Sequence, residues 1–144
     1  MRILRTLLPA LALSVSPPAL ADQKEADTCL RTKIWSGYDD GWAVRTATSA
    51  DLGEGQHRIY LVTLYAGHEY KFQVCGDKSV NNIDLVLHDE AGKELARDES
   101  NDREPKITFK PTATQTYYVA VYAADLSDES KVDTAGVAMA VTYK

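Results

Sequence analysis

Through most of its length this chain places apolar side chains at every second position, a period that suits a strand and defeats a helix. Tyr60, Val62 and Leu64 fall on one side of residues 58–65, with Ile59, Leu61, Thr63 and Tyr65 on the other. Past the Ala66-Gly67 turn the period continues in Tyr70, Phe72 and Val74. It returns in Ile83, Leu85 and Leu87, breaks at "DEAG" (89–92), which has the length and the glycine of a hairpin turn with a bulge, and resumes at 95–97. Later, "KITF" puts Ile107 and Phe109 on one face. "TYYVAVYA" turns Tyr117, Val119 and Val121 inward and Tyr118 and Tyr122 outward, and "GVAMAVTY" keeps Val137, Met139, Val141 and Tyr143 in phase. No window sustains an apolar period of 3.6, so the prediction is an all-β fold, an antiparallel β-sandwich of about eight strands.

The N-terminal part is less regular. "DQKEADTC" is polar enough for one short helical turn at most, "LRTKIW" and "WAVRT" read as strands around an acidic turn, and "ADLGEGQ" reads as a connector. Before them, Arg2 and Arg5, an apolar run over 7–15 and "PPALA" have the layout of a secretory signal peptide with an Ala19-x-Ala21 cleavage site. The run is too short to span a bilayer. The residue after the cut is Asp22, not the cysteine a lipoprotein needs. The expected organisation is a leader at 1–21 and one domain at 22–144, exported to the periplasm or beyond.

Taking Arg2 and Arg5 from the 16 basic residues, against 21 acids, leaves a mature net charge of about −7. That balance argues against nucleic acid and against anionic membrane surfaces as partners. In an oxidising compartment the two cysteines, Cys29 and Cys75, are expected to pair as a disulfide. The bridge would staple the segment 22–56 to the rest.

"YLVTLYAGHEYKFQV", "NNIDLVLHDEAGKELARD", "ITFKP" and "TYYVAVY" follow one another in an order that resembles the bacterial pre-peptidase C-terminal domains found at the ends of secreted peptidases. The similarity covers 57–143. It implies a jelly-roll-like β-sandwich that is an appendage and not a catalyst, with relatives linked to substrate adhesion, some of which bind calcium. Two departures stand out: no peptidase precedes the match, and Gln115-Thr116-Tyr117 replaces the usual glycine before Thr-Tyr.

Candidate chemistry is sparse. Asp84 and His88 share a strand face but lie about 13 Å apart at 3.3 Å per residue, too far for one ligand sphere without help from neighbouring strands. Asp89 opens a turn and is expected to accept backbone amides there. Asp98, Ser100, Asp102 and Glu104 alternate as calcium ligands do, and with Asp84 they form the candidate calcium set, although the loop lacks the EF-hand glycine and distant glutamate. A solvated charged loop is the competing reading. There is no GxSxG, and His57, His68 and His88 show no triad spacing, so no catalytic residue is expected.

Tyr60, Tyr70, Phe72, Tyr117 and Tyr143 belong to inferred core faces. Tyr118, Tyr122 and His88 on the outer sheet, then Tyr38 and Trp42 at a loop edge, are the candidate partner-binding residues. For Trp35 and Trp42 the competing expectation is that the N-terminal segment folds back and buries them. The function expected is an exported, non-catalytic module that recognises a protein or carbohydrate surface. The alternatives are an exported inhibitor of a lysozyme or peptidase acting through the acidic loops 38–41 and 98–104, or an envelope component with no discrete ligand.

Overall fold

The computed structural model describes residues 21–128 and 133–144; residues 1–20 of the expected leader (1–21) and residues 129–132 of the polar loop lie outside the described residues. The alternating segments become strands β1 (Ala43–Gly53), β2 (His57–Leu64), β3 (Tyr70–Gly76), β4 (Val80–His88), β5 (Glu94–Asp98), β6 (Lys106–Phe109), β7 (Gln115–Leu126) and β8 (Thr134–Tyr143). They form two antiparallel four-stranded sheets, ordered β1-β8-β3-β6 and β2-β7-β4-β5. Every connection except β4 to β5 passes from one sheet to the other, which makes the sandwich a jelly roll.

The two inner faces meet in one core. Phe72, Val74, Met139 and Val141 from the first sheet pack with Leu85, Leu87, Val119 and Val121 from the second. Because the side-chain period is two, these positions fix the opposite face of each strand as outward. Asp89 closes the β4–β5 hairpin as expected. Its Oδ1 accepts from the backbone N–H of Ala91 at 3.0 Å and of Lys93 at 2.8 Å, and Gly92 takes a φ of 84° that favours glycine.

The N-terminal segment departs from the strand reading. Residues 23–38 form one helix, α1 (Gln23–Tyr38), which takes in both "DQKEADTC" and "LRTKIW". Asp22 caps it, its side chain accepting the Glu25 N–H at 2.9 Å. Ala26, Leu30 and Ile34, four residues apart, give a narrow apolar stripe, and only Ala26 and Leu30 of the three are buried. The helix lies on the outer face of the first sheet against β8, β3 and β1. That face is built of small residues, Gly136, Ala138 and Ala140 of β8 with Cys75 of β3. A side chain at Gly136 would stand 2.5 Å from the Asp22 carbonyl carbon, so only glycine lets the helix start this close.

Cys29 of α1 and Cys75 of β3 form the expected disulfide, with Cα atoms 6.0 Å apart. "ADLGEGQ" is not all connector: Ala50, Asp51, Leu52 and Gly53 pair with Val137, Gly136, Ala135 and Thr134 of β8, and the turn proper follows them. Among the described residues no helix is long and apolar enough to cross a membrane.

Candidate binding face

The outer face of the second sheet is assembled in three cross-strand rows. Ile59 of β2, Ala120 of β7, Val86 of β4 and Arg97 of β5 form the middle row. On one side of it lie His57, Tyr122 and Asp84; on the other lie Leu61, Tyr118, His88 and Glu94. Residues directly opposite in an antiparallel pair share a face with Cβ atoms about 5 Å apart, so each row is a line of neighbouring side chains. The alternation thus places Tyr118, Tyr122, His88 and Asp84 together, because β4 and β7 pair directly.

This face is apolar in the middle and open. Ile59 is 50% exposed and Leu61 66%. The His57 ring tilts against Tyr122 with centroids 5.0 Å apart. Asp84, Val86, His88, Arg97 and Tyr122 line a shallow depression of about 210 Å³. At its edge the Arg97 guanidinium is held by Glu94 and by Glu99, the latter at 2.6 Å. The hydrogen bonds Arg97 donates to Glu94 first, then to Glu99, raise its pKa, and the bond from Arg97 lowers that of Glu94. Among the described residues no helix packs on this face, in contrast to the first sheet under α1.

The other candidates lie elsewhere. Tyr38 is exposed near the end of α1, on the far side of the sandwich, in edge contact with an equally exposed Trp35 at 6.2 Å. Trp42 is corrected as a binding residue. It is 7% exposed, with the ammonium groups of Lys71 and Lys144 over its ring at 4.0 and 4.8 Å. The N-terminal segment does fold back, but it buries Trp42 and leaves Trp35 outside. Ile59 and Leu61, the exposed large apolar members of the assembled face, are not among the sequence candidates.

The calcium set does not gather. Asp98 Oδ1 accepts from the Ser100 hydroxyl at 2.6 Å and its N–H at 3.1 Å, while Oδ2 accepts the Lys106 N–H at 2.9 Å. Asp102 accepts the Glu104 N–H at 3.0 Å, Glu104 pairs with Lys33 at 3.3 Å, and Asp84 stands on the outer face beside Tyr122. Among the described residues the one convergence of three metal-ligating side chains is Cys29, Cys75 and Glu104, where both sulfurs are spent in the disulfide. The loop acids close turns instead of pointing at a common centre.

Burial alone pushes the Asp98 carboxyl up. The bonds from Ser100 and from the Lys106 and Ser100 amides, with the Lys106 charge, outweigh it and hold the group below its ordinary value. Its stabilising effect is therefore complete above the unfolded pKa of about 3.9. It is lost as pH falls through the lower folded value. Asp98→Asn should cost about 1 kcal/mol near neutrality, after allowing for solvent screening. The gap from the parent should narrow below about pH 4 in urea titrations.

No family model matches the chain, and no curated protein matches it in sequence. Solved structures match its fold. The periplasmic inhibitor of g-type lysozyme PliG from Aeromonas hydrophila aligns over 71% of this chain and 88% of its own, with a TM-score of 0.51 and 13% identity. The pre-peptidase C-terminal domain of collagenase from Bacillus anthracis aligns over 68% of this chain and 89% of its own, with a TM-score of 0.52 and 18% identity. At such identities the likeness is one of β-sandwich fold.

Proposed function

We propose that this protein is exported, performs no catalysis and binds another protein through the outer face of its second sheet. One observation carries the reading: Ile59 and Leu61 stand exposed beside Tyr118 and Tyr122 on the sheet that α1 leaves uncovered. An aliphatic and tyrosine centre with a rim of His57, Asp84, His88 and Arg97 has the anatomy of a protein interface. A carbohydrate surface would call for open ring faces, whereas here the most exposed apolar groups are aliphatic and both tyrosines are half-buried. Export is supported by the leader-like start and by the disulfide. The pre-peptidase-like motifs and the two structural neighbours support a non-catalytic role.

Photo-crosslinking in the native envelope tests this. A photoreactive residue at position 61 should give a discrete protein adduct, absent when Ile59→Glu is added. The same probe at position 38 should give none. Ile59→Glu itself should change stability by less than about 0.5 kcal/mol, as surface substitutions do. It should weaken binding at least tenfold, as loss of an interface hot spot does. No adduct at 61, or equal adducts at 61 and 38, would remove this face from consideration.

Inhibition of a lysozyme or secreted peptidase is the second reading, favoured by the way the acidic loop 98–104 is braced. The Ile83 N–H bonds the Asp102 carbonyl at 2.9 Å and the Gly76 N–H bonds that of Arg103 at 2.9 Å, so Glu99 and Asp102 are presented on a fixed loop. Titration of purified g-type lysozyme and secreted peptidases separates the readings. Inhibition abolished by Glu99→Lys with Asp102→Lys, but not by Ile59→Glu, would favour this one.

A further inference from the structure

Asp77, at the end of β3, is a carboxylate with no exposed surface, and it is surrounded by N–H donors. Oδ1 accepts from Ser79 N at 2.8 Å, and Oδ2 accepts from Gly136 N at 2.8 Å and from Asp22 N at 2.7 Å. None of the ion pairs among the described residues involves it. The Arg103 guanidinium bonds the Asp77 backbone carbonyl at 3.4 Å and not the carboxylate. Lys78 contributes its N–H to Glu25. A buried carboxylate without a countercharge is costly even when hydrogen-bonded. The donor at 2.7 Å belongs to the residue that follows the Ala19-x-Ala21 cleavage pattern.

We infer that the mature chain begins at Asp22 and that its new α-ammonium is the countercharge of Asp77, so that removal of the leader completes the fold. Hydrolysis of the Ala21–Asp22 amide by a leader peptidase consumes one water. The C–N bond breaks, Ala21 leaves as a carboxylate, and the proton released is taken up by the freed amine of Asp22. The N–H that already faces Oδ2 becomes N⁺–H, so a bond assisted by the acceptor's charge alone becomes one between opposite charges. A positive charge at a helix N-terminus opposes the helix dipole, so the ammonium needs an anion there, and Asp77 is placed to supply it. Gly136, with no side chain, lets the Asp22 backbone press against β8 within reach of that anion. Precursor and mature protein thus share one fold, with the mature form the more stable.

The test rests on cleavage at Ala21 and not on any binding partner. Intact mass of the exported protein should give Asp22 as the first residue. A form extended by Gly-Ser before Asp22 should melt about 5 °C lower than the mature protein, because a neutral amide then stands in place of the ammonium of the ion pair. In an Asp77→Asn background the same extension should have little effect. Labelling with acetic anhydride under native conditions should modify the α-amine at least tenfold more slowly than the exposed lysines, a readout that stands if Asp77→Asn does not fold. A different first residue, equal melting of the two forms, an extension penalty that persists in Asp77→Asn, or a freely reactive α-amine would each overturn the inference.

Discussion

Asp77→Ala should unfold about 3 kcal/mol or more too easily, because it strands three backbone donors at once. Ser79 N, Gly136 N and Asp22 N all end on this one carboxylate, and each buried donor left unpaired costs about 1–3 kcal/mol. The three donors belong to the β3–β4 connection, β8 and the start of α1. The substitution therefore loosens a junction of three elements instead of one contact. Urea denaturation gives the total loss, and amide exchange shows where it falls. Protection should drop first in α1, whose remaining hold on the sandwich is the buried Ala26 and Leu30, the disulfide and polar contacts at its surface such as Gln23–Asp51 and Lys33–Glu104. A loss under about 1 kcal/mol would mean that water takes over the acceptor role.

The strands of the sandwich were legible because their burial is two-sided and regular. In β7, Tyr117, Val119 and Val121 are buried while Tyr118 and Tyr122 are only half so, as period two requires. The helix was not legible, for a reason visible in its packing partner. Its stripe of Ala26, Leu30 and Ile34 needs little apolar area, since the sheet beneath offers Gly136, Ala138 and Ala140. That run of small residues in phase on the outward side of "GVAMAVTY" was the available signal, together with the Asp22-x-x-Glu25 cap.

The candidate face shows the same division. Within a strand, period two places Tyr118 with Tyr122 and Asp84 with His88. That Ile59 and Leu61 stand beside those tyrosines follows from β2 pairing with β7, strands more than fifty residues apart in the chain, and no local period encodes that. The acidic loop is the opposite case. Outside a strand, alternate spacing does not set side-chain direction, and backbone amides within a few residues claimed the oxygens of Asp98 and Asp102.

Replacing Cys29 and Cys75 together by alanine should lower stability by about 4 kcal/mol on the chain-entropy model. The bridge spans 46 residues of sequence and ties α1 to β3, so its loss frees both the unfolded chain and the helix. Packing offers modest compensation, since fully burying one leucine contributes about 2 kcal/mol and Leu30 is the only large side chain of α1 that is fully covered. Helix formation cannot compensate either, because an isolated 16-residue helix carrying Thr28, Thr32, Ser36 and Gly37 is marginal in water. The double variant should thus keep its jelly roll, since the core of the two sheets contains no atom of α1, while the helix detaches at lower denaturant than the sheets. Far-ultraviolet circular dichroism would show an early helical transition, with loss of the sheet signal following at higher denaturant. Trp42 sits against Gly37 and should report the detachment of the helix end before the sheets open. A single cooperative transition with α1 protection unchanged would mean that Ala26, Leu30 and the Asp22–Asp77 contact hold the helix without the bridge.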